Sequence, residues 1–210
     1  MITASRLIGQ RLGALDGHVG RVRDVLFEDD SLRVRWLVVR LAGGRHVLLA
    51  PAALRQRGGG GAALALDLPG AAVRGAPPVE TDLPVERRGA PQAPGLFGRA
   101  APGPEPRHCD PRLQSCREVA TYAALAGGEP VGRIRDVLLD PSDWTVAALV
   151  LGGGRWARGR GSAVAARRIR RIDWEDGTVR LRPAEPSAAR DPGGSAGTLQ
   201  PEAERSVIHT

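Results

Sequence analysis

The sequence contains the same nine-residue pattern twice, VGRVRDVLF at residues 19–27 and VGRIRDVLL at residues 131–139. Seven of the nine positions are identical, and the two that differ exchange one apolar residue for another. An acidic residue follows each copy directly, and a glycine lies a few positions before each copy. Agreement of this extent indicates an internal repeat, so we expect two related structural units.

Each copy continues into a second apolar run that ends in glycines, WLVVRLAGGR at residues 36–45 and VAALVLGGGR at residues 146–155. Short apolar runs separated by glycine and acidic turns are typical of antiparallel β-strands. HVLLAP and AALALDL supply further strands in the first copy, and GTVRLR supplies one in the second. Because small sheets with open edges are unstable, we expect each sheet to close. The predicted fold class is all-β, with two small β-barrels in tandem.

Prolines divide the rest of the chain. Nine of them lie between residues 70 and 112, where they disfavour helix interiors and central strands and predict an extended linker. The residues after Pro186 are small and polar without periodicity, which is typical of a disordered tail. The predicted organisation is a first barrel at residues 1–69, the linker at 70–112, a second barrel at 113–185 and the tail at 186–210.

The charge of the chain points weakly to an anionic partner. The formal net charge is +7, and all 30 basic residues are arginines. A GC-rich coding sequence produces such a composition whatever the function, so the total charge alone does not establish nucleic-acid binding. No apolar stretch has the length of a signal peptide core or of a membrane span. We therefore expect a cytoplasmic protein with no membrane anchor.

The repeated motif and its surroundings resemble a known domain. DGHVGRVRDVLFEDD at residues 16–30 and RWLVVRLAGGRHVLLAP at residues 35–51 resemble the PRC-barrel domain, which is found in the photosynthetic reaction-centre H subunit and in a ribosome maturation factor. Residues 113–151 are similar to the second barrel of bacterial proteins that contain two such domains. The resemblance implies PRC-type barrels that bind other macromolecules, although a fold by itself does not establish a function.

Four residues of the repeated motif are candidates for a structural role: Gly20, Asp24, Gly132 and Asp136. Regular strand alternation places Asp24 on the same face as Val22 and Leu26. A carboxylate on an apolar face is costly unless it is hydrogen-bonded or paired with a cation. We expect each aspartate to fix a turn, by accepting backbone amides, or to pair with an arginine. A catalytic role would require a second carboxylate or a histidine nearby, and the local sequence offers neither.

The densest charge feature is a run of four arginines: Arg167, Arg168, Arg170 and Arg171. Arg158 and Arg160 lie just upstream of this run, and Arg180 and Arg182 lie downstream. Displayed guanidinium groups bind phosphate or acidic protein surfaces, often through two hydrogen bonds. The favoured alternative is a solvated edge strand whose charges prevent aggregation.

The remaining candidate residues do not indicate a metal site or a catalytic site. Cys109 and Cys116 fit no standard zinc spacing, so incidental thiols are favoured over a local disulfide, and a metal site is third. Trp36 and Trp144 follow the two motif copies and are expected to occupy equivalent positions in packed strands. The histidines are scattered, and no nucleophile elbow or phosphate loop is present. The sequence predicts no enzyme and no catalytic, cofactor-binding or metal-binding residues.

Two functions of different class remain. The first is a non-enzymatic protein-interaction or scaffolding module with a protein partner. The alternative is an RNA- or ribosome-associated factor that uses the arginine-rich second barrel. Since barrels of about 60 residues are marginally stable alone, packing of the two barrels together and homodimer formation are both expected alternatives.

Overall fold

A computed structural model describes residues 1–55, 63–85, 109–153 and 162–183. These residues form two seven-stranded sheets and a short two-stranded ladder, and their helices are short. The all-β class is therefore confirmed. The predicted tail from residue 186 and the linker residues 86–108 lie outside the described residues, and the predicted domain boundaries stay predictions.

The first sheet contains six strands that follow one another in the first repeat and one strand that precedes the second repeat. They are β2 (Arg11–Ala14), β3 (Gly17–Glu28), β4 (Val34–Leu41), β5 (His46–Leu49), β6 (Leu54–Arg55), β7 (Ala63–Leu66) and β10 (Leu113–Ser115). The order across the sheet is β5-β4-β3-β2-β7-β6, and β10 pairs with β3. The β2 and β7 strands run parallel, and the other pairs are antiparallel.

The second sheet repeats this arrangement. Its strands are β1 (Ile2–Thr3), β11 (Ala123–Ala126), β12 (Glu129–Asp140), β13 (Thr145–Gly152), β14 (Ser162–Ala165), β15 (Ile169–Asp173) and β16 (Thr178–Leu181). The order is β14-β13-β12-β11-β16-β15, and β1 pairs with β12. The two remaining strands, β8 (Leu83–Pro84) and β9 (Cys109–Asp110), form the parallel ladder.

Helical structure is confined to short segments beside the sheets. They are α1 (Ala4–Leu7), α2 (Gly70–Arg74), α3 (Cys116–Val119) and the 3₁₀ turns Pro51–Ala53, Val79–Thr81 and Ala166–Arg168. The α2 helix and the Val79–Thr81 turn fall within the predicted linker. A helix forms at α2 because no proline lies between Gly70 and Pro77, so the backbone amides of that stretch are free to donate.

A β-bulge in each long strand changes which side chains share a face. The pairing of β3 with β4 shifts register between Val22 and Asp24. As a result Val22, Val25 and Phe27 all lie in the main hydrophobic core, whereas Leu26 packs in a separate small cluster. The prediction that Val22, Asp24 and Leu26 share one face is therefore wrong, because it assumed unbroken alternation.

The two repeats exchange their first segments. The β1 strand and the α1 helix, which precede the first sheet in sequence, pack on β12 of the second sheet. The β10 strand, which precedes most of the second sheet, pairs with β3 of the first sheet, and the helices α1 and α3 each contact both β3 and β12. A single hydrophobic core contains buried side chains of both repeats. The two units are thus packed together through an intertwined interface.

A mutual contact marks the pseudo-twofold axis between the repeats. Val19 corresponds to Val131, so equivalent residues around the motif differ by 112 positions, and Arg33 forms a β-bridge with its own equivalent Thr145. Leu32 and Trp144 are also equivalent, and both have a φ of 56°. Trp144 therefore corresponds to Leu32, and the expectation that it matches Trp36 is wrong.

Candidate anion-binding groove

The buried carboxylate of Asp24 joins the first sheet to the helix that precedes the second. Its Oδ2 accepts a hydrogen bond from Ser115 Oγ at 2.5 Å, and its Oδ1 accepts from the amides of Val25 at 2.8 Å and Arg117 at 3.4 Å. Two of these three donors belong to the N-terminus of α3. The sequence pointed to a neighbouring turn, whereas two of the donors come from the other repeat.

Asp136 makes the reciprocal contact. It accepts hydrogen bonds from the hydroxyl of Ser5 and from the amides of Ser5 at 3.1 Å and Val137 at 2.8 Å. Ser5 lies in α1, so each motif aspartate holds the first helix of the opposite repeat. We call this pair of contacts the aspartate clasp. Its donors are amides and hydroxyl groups, which gives both aspartates a structural role.

Sequence reasoning missed the two serines of the aspartate clasp. Ser115 is the N-cap of α3, and its Oγ accepts from the amide of Glu118 at 3.1 Å while donating to Asp24. The local signal for such a cap is the spacing of Ser115 and Glu118, which matches a helix capping box. Nothing in the sequence indicates that the capping hydroxyl bonds to a carboxylate 91 positions away.

Burial changes the protonation behaviour of the Asp24 carboxyl group and of the Cys116 thiol. Removal from water raises the pKa of Asp24 to about 6, although the hydrogen bonds from Ser115, Val25 and Arg117 oppose this shift. Burial also raises the pKa of the Cys116 thiol, and the charges of Asp24 and Asp136 raise it further. Cys116 is a free buried thiol, so it is not part of a disulfide. A protonated buried thiol is a poor nucleophile.

The two motif glycines allow close approach between strands. A Cβ atom at Gly20 would collide with the carbonyl oxygen of Arg40 on β4. A Cβ atom at Gly132 would lie 2.7 Å from the carbonyl oxygen of Gly153, at a φ of +154°. Both positions therefore require glycine for a structural reason.

A groove at the end of the second sheet is lined by four arginines that lie in, or directly after, two neighbouring strands. Arg170 and Arg171 of β15 line it together with Arg180 and Arg182 at the end of β16, and the cavity volume is about 520 Å³. The glycine turn 127–128 forms its rim. All four arginine side chains are exposed. We call this cavity the arginine groove.

The structure divides the predicted arginine run. Arg170 and Arg171 lie in the arginine groove, whereas Arg167 and Arg168 lie in the preceding 3₁₀ turn and do not line it. The guanidinium group of Arg168 donates to the carbonyl oxygen of Arg182 at 2.8 Å and ties the turn to the end of β16. Arg180 and Arg182 replace Arg167 and Arg168 in the candidate site.

A β-bulge places adjacent arginines on the same side of β15. The pairing of β15 with β16 shifts register between Ile169 and Arg171. Ile169 and Ile172 pack against the core on either side of the bulge, while Arg170 and Arg171 are both exposed. Regular alternation would have separated two neighbouring side chains to opposite faces.

Positive charge in the arginine groove is largely uncompensated. Arg171 lies directly opposite Arg180 in the strand pairing. Within the described residues, the one ion pair that these four arginines make joins Arg171 Nε to Asp173 Oδ2 at 3.7 Å. Like charges directly opposite each other on neighbouring strands are destabilising. The groove is thus a place where a bound anion would relieve repulsion.

A second concavity lies against the first sheet, and its charges are paired. Arg35 Nη1 bonds to Asp110 Oδ2 at 2.7 Å, and Trp36 Nε1 donates to Asp82 Oδ2 at 2.6 Å. These contacts attach the β8–β9 ladder to the outer face of β4. Because its polar groups bind each other, this concavity is structural.

No protein-family model matches the chain, and no curated protein matches it significantly. Within the four described ranges, no three His, Cys, Asp or Glu side chains come together in a way that could hold a metal ion. None of the helices in this part of the chain is long and apolar enough to cross a membrane. The absence of enzymatic activity stays a prediction from the sequence.

Proposed function

We propose that the chain is a non-enzymatic protein-interaction module, built from two PRC-type barrels, that binds an acidic segment of a partner protein in the arginine groove. The observation that carries this proposal is the convergence of four exposed arginines around one cavity, where the described part of the chain supplies a single ion pair to them. Guanidinium groups bind carboxylates through paired, charge-assisted hydrogen bonds.

The shape of the equivalent region in the first repeat supports a polypeptide ligand. There the hairpin turn at Leu15 and Asp16 corresponds to the glycine turn 127–128 of the arginine groove. The amide of Leu15 donates to the carbonyl oxygen of Leu68 at 3.0 Å, and Asp16 accepts from the amide of Gly70 at 2.6 Å. Leu68 and Gly70 therefore contact this turn in the first repeat, and the fold accommodates peptide backbone beside it.

The lining of the arginine groove favours an acidic protein over RNA. Single-stranded nucleic acids are bound by basic grooves that also present aromatic side chains for base stacking. None of the described residues that line this groove is aromatic. Trp174, the nearest tryptophan in sequence, packs against the hydrophobic core.

The same lining supports binding without catalysis. Among the residues that the structure describes, those that line the arginine groove carry no carboxylate, imidazole, thiol or hydroxyl group. General acid–base and nucleophilic catalysis require such groups within hydrogen-bonding distance of the substrate.

The test uses a fluorescein-labelled peptide of alternating Glu and Gly, and a matched peptide of alternating Gln and Gly, followed by fluorescence anisotropy. We expect saturable binding of the acidic peptide that weakens as salt is added. The variant Arg171→Ala/Arg180→Ala is expected to reduce affinity by about tenfold, because two charge-assisted contacts are lost.

The matched control is Arg6→Ala/Arg40→Ala, which removes the same charge from residues that do not line the groove. It is expected to bind the acidic peptide as the original chain does. A labelled single-stranded RNA is titrated in parallel. Tighter binding of RNA than of the acidic peptide, lost in the groove variant, would establish the RNA alternative and overturn the protein-binding proposal.

A further inference from the structure

The arrangement of the arginine groove indicates that its ligand is an anion and also how much negative charge the bound group carries. Arg171 and Arg180 stand directly opposite each other across the β15–β16 pair, where facing Cβ atoms are about 5 Å apart. Arg170 flanks this pair because of the bulge, and Arg182 lies two residues beyond Arg180 on the same side of β16. Several guanidinium groups therefore border one small volume.

A single carboxylate is a poor match for this arrangement. One carboxylate carries one negative charge, which offsets one of two facing guanidinium groups. A phosphoryl group on serine or threonine carries a charge of about −1.5 to −2 and offers three acceptor oxygens. It can therefore accept paired hydrogen bonds from two guanidinium forks that approach from neighbouring strands.

The first repeat shows the same strand pair without this arrangement. Arg55 of β6 lies opposite Ala65 of β7, and it forms an ion pair with Asp67 two residues further along. Asp67 corresponds to Arg182, and Ala65 corresponds to Arg180. The hairpin therefore folds without a cluster of like charges, and the excess charge of the second copy is not required by the strand pairing.

From these observations we infer that the arginine groove selects a phosphorylated serine or threonine within an acidic segment of the partner. This inference rests on the proposed function and specifies its ligand. It makes binding dependent on phosphorylation of the partner. It also accounts for a like-charge pair that would otherwise destabilise the hairpin.

The experiment compares the alternating Glu and Gly peptide with the same peptide carrying phosphoserine in place of its central Glu. We expect the phosphopeptide to bind the full chain about tenfold more tightly, because charge-assisted hydrogen bonds are gained. Lowering the pH from about 7.5 to about 5 is expected to reduce this preference, since the phosphate loses its second charge near pH 6. Arg171→Ala/Arg180→Ala should abolish the preference, and the Arg6→Ala/Arg40→Ala control should keep it.

The outcomes separate this inference from the proposed function. Equal affinity for the two acidic peptides would overturn the phosphate inference and leave the binding of acidic segments standing. Failure of both peptides to bind would overturn both proposals. If inorganic phosphate alone bound as tightly as the phosphopeptide, the ligand would be a free ion, and the inference of a modified protein segment would be wrong.

Discussion

The two repeats share their strands, their motif and a hydrogen-bonded aspartate at the same motif position, yet they differ at the end of the sheet where the arginine groove lies. In the first repeat, Arg55 is neutralised by Asp67, and Leu68 and Gly70 contact the neighbouring turn. In the second, the equivalent strands present arginines toward the arginine groove. The comparison indicates that the shared elements maintain the fold, whereas the side chains that differ between the repeats are the candidates for binding a partner.

The largest expected effect concerns the aspartate clasp, where the two repeats are equivalent in contacts but different in burial. Asp24 is fully buried, while Asp136 is partly exposed. Asp24→Ala leaves three donors without an acceptor, so we expect it to lower the free energy of unfolding by about 4 kcal/mol. Asp136→Ala should cost about 1 kcal/mol because water can replace the lost contacts.

Chemical denaturation of both variants at neutral pH measures the difference. Equal losses for the two substitutions would contradict the asymmetry of the clasp. An unchanged midpoint for Asp24→Ala would show that the exchanged helices do not depend on the carboxylate at all.

The next effect is a pH dependence that arises from Asp24. The pKa of Asp24 rises from 3.8 to about 6 on folding, so the folded state binds this proton more tightly than the unfolded state. The contribution to stability is therefore complete below about pH 4 and is lost as the pH rises through 6, by about 3 kcal/mol in total. Asp24→Asn should remove this slope because its side chain does not titrate.

Unfolding free energies at a series of pH values between 4 and 8 give the slope. A slope that persists in Asp24→Asn would assign the dependence to another group.

The smallest stability effect comes from giving the second repeat the side chains of the first. Arg180→Ala and Arg182→Asp place alanine and aspartate where the first repeat has Ala65 and Asp67. We expect a gain of about 0.5 kcal/mol, because a like-charge pair is removed and an exposed ion pair is added. The same variant should lose binding of the acidic peptide. Retained binding in fluorescence anisotropy, with folding intact by circular dichroism, would contradict the role of the groove.

Repetition and turn chemistry were enough to predict the class of the fold. The two copies of the motif predicted two related units, and glycine and acidic turns predicted strands. The intertwining of the two repeats could not be predicted, because Ser115 and Asp24 are far apart in sequence and either side chain could have formed a local hydrogen bond. The bulge after Val22 was also missed, since a register shift depends on the partner strand.

The candidate site was predictable only in part for the same reason. A run of arginines in sequence drew attention to Arg167 and Arg168, but strand pairing brings Arg170 and Arg171 beside Arg180 and Arg182 instead. Proximity in sequence identified the correct strand. To predict which arginines line the groove, one would also have to know the position of the bulge and the register of β15 with β16.

The most direct test of the central claim is a nuclear magnetic resonance titration of the isotope-labelled chain with the acidic phosphopeptide. The account predicts shifts concentrated on the side-chain Nε–Hε groups of Arg170, Arg171, Arg180 and Arg182 and on the amides of the glycine turn 127–128, with Arg55 and its surroundings unchanged. Shifts spread evenly over exposed arginines of both repeats, or centred on the first repeat, would contradict it.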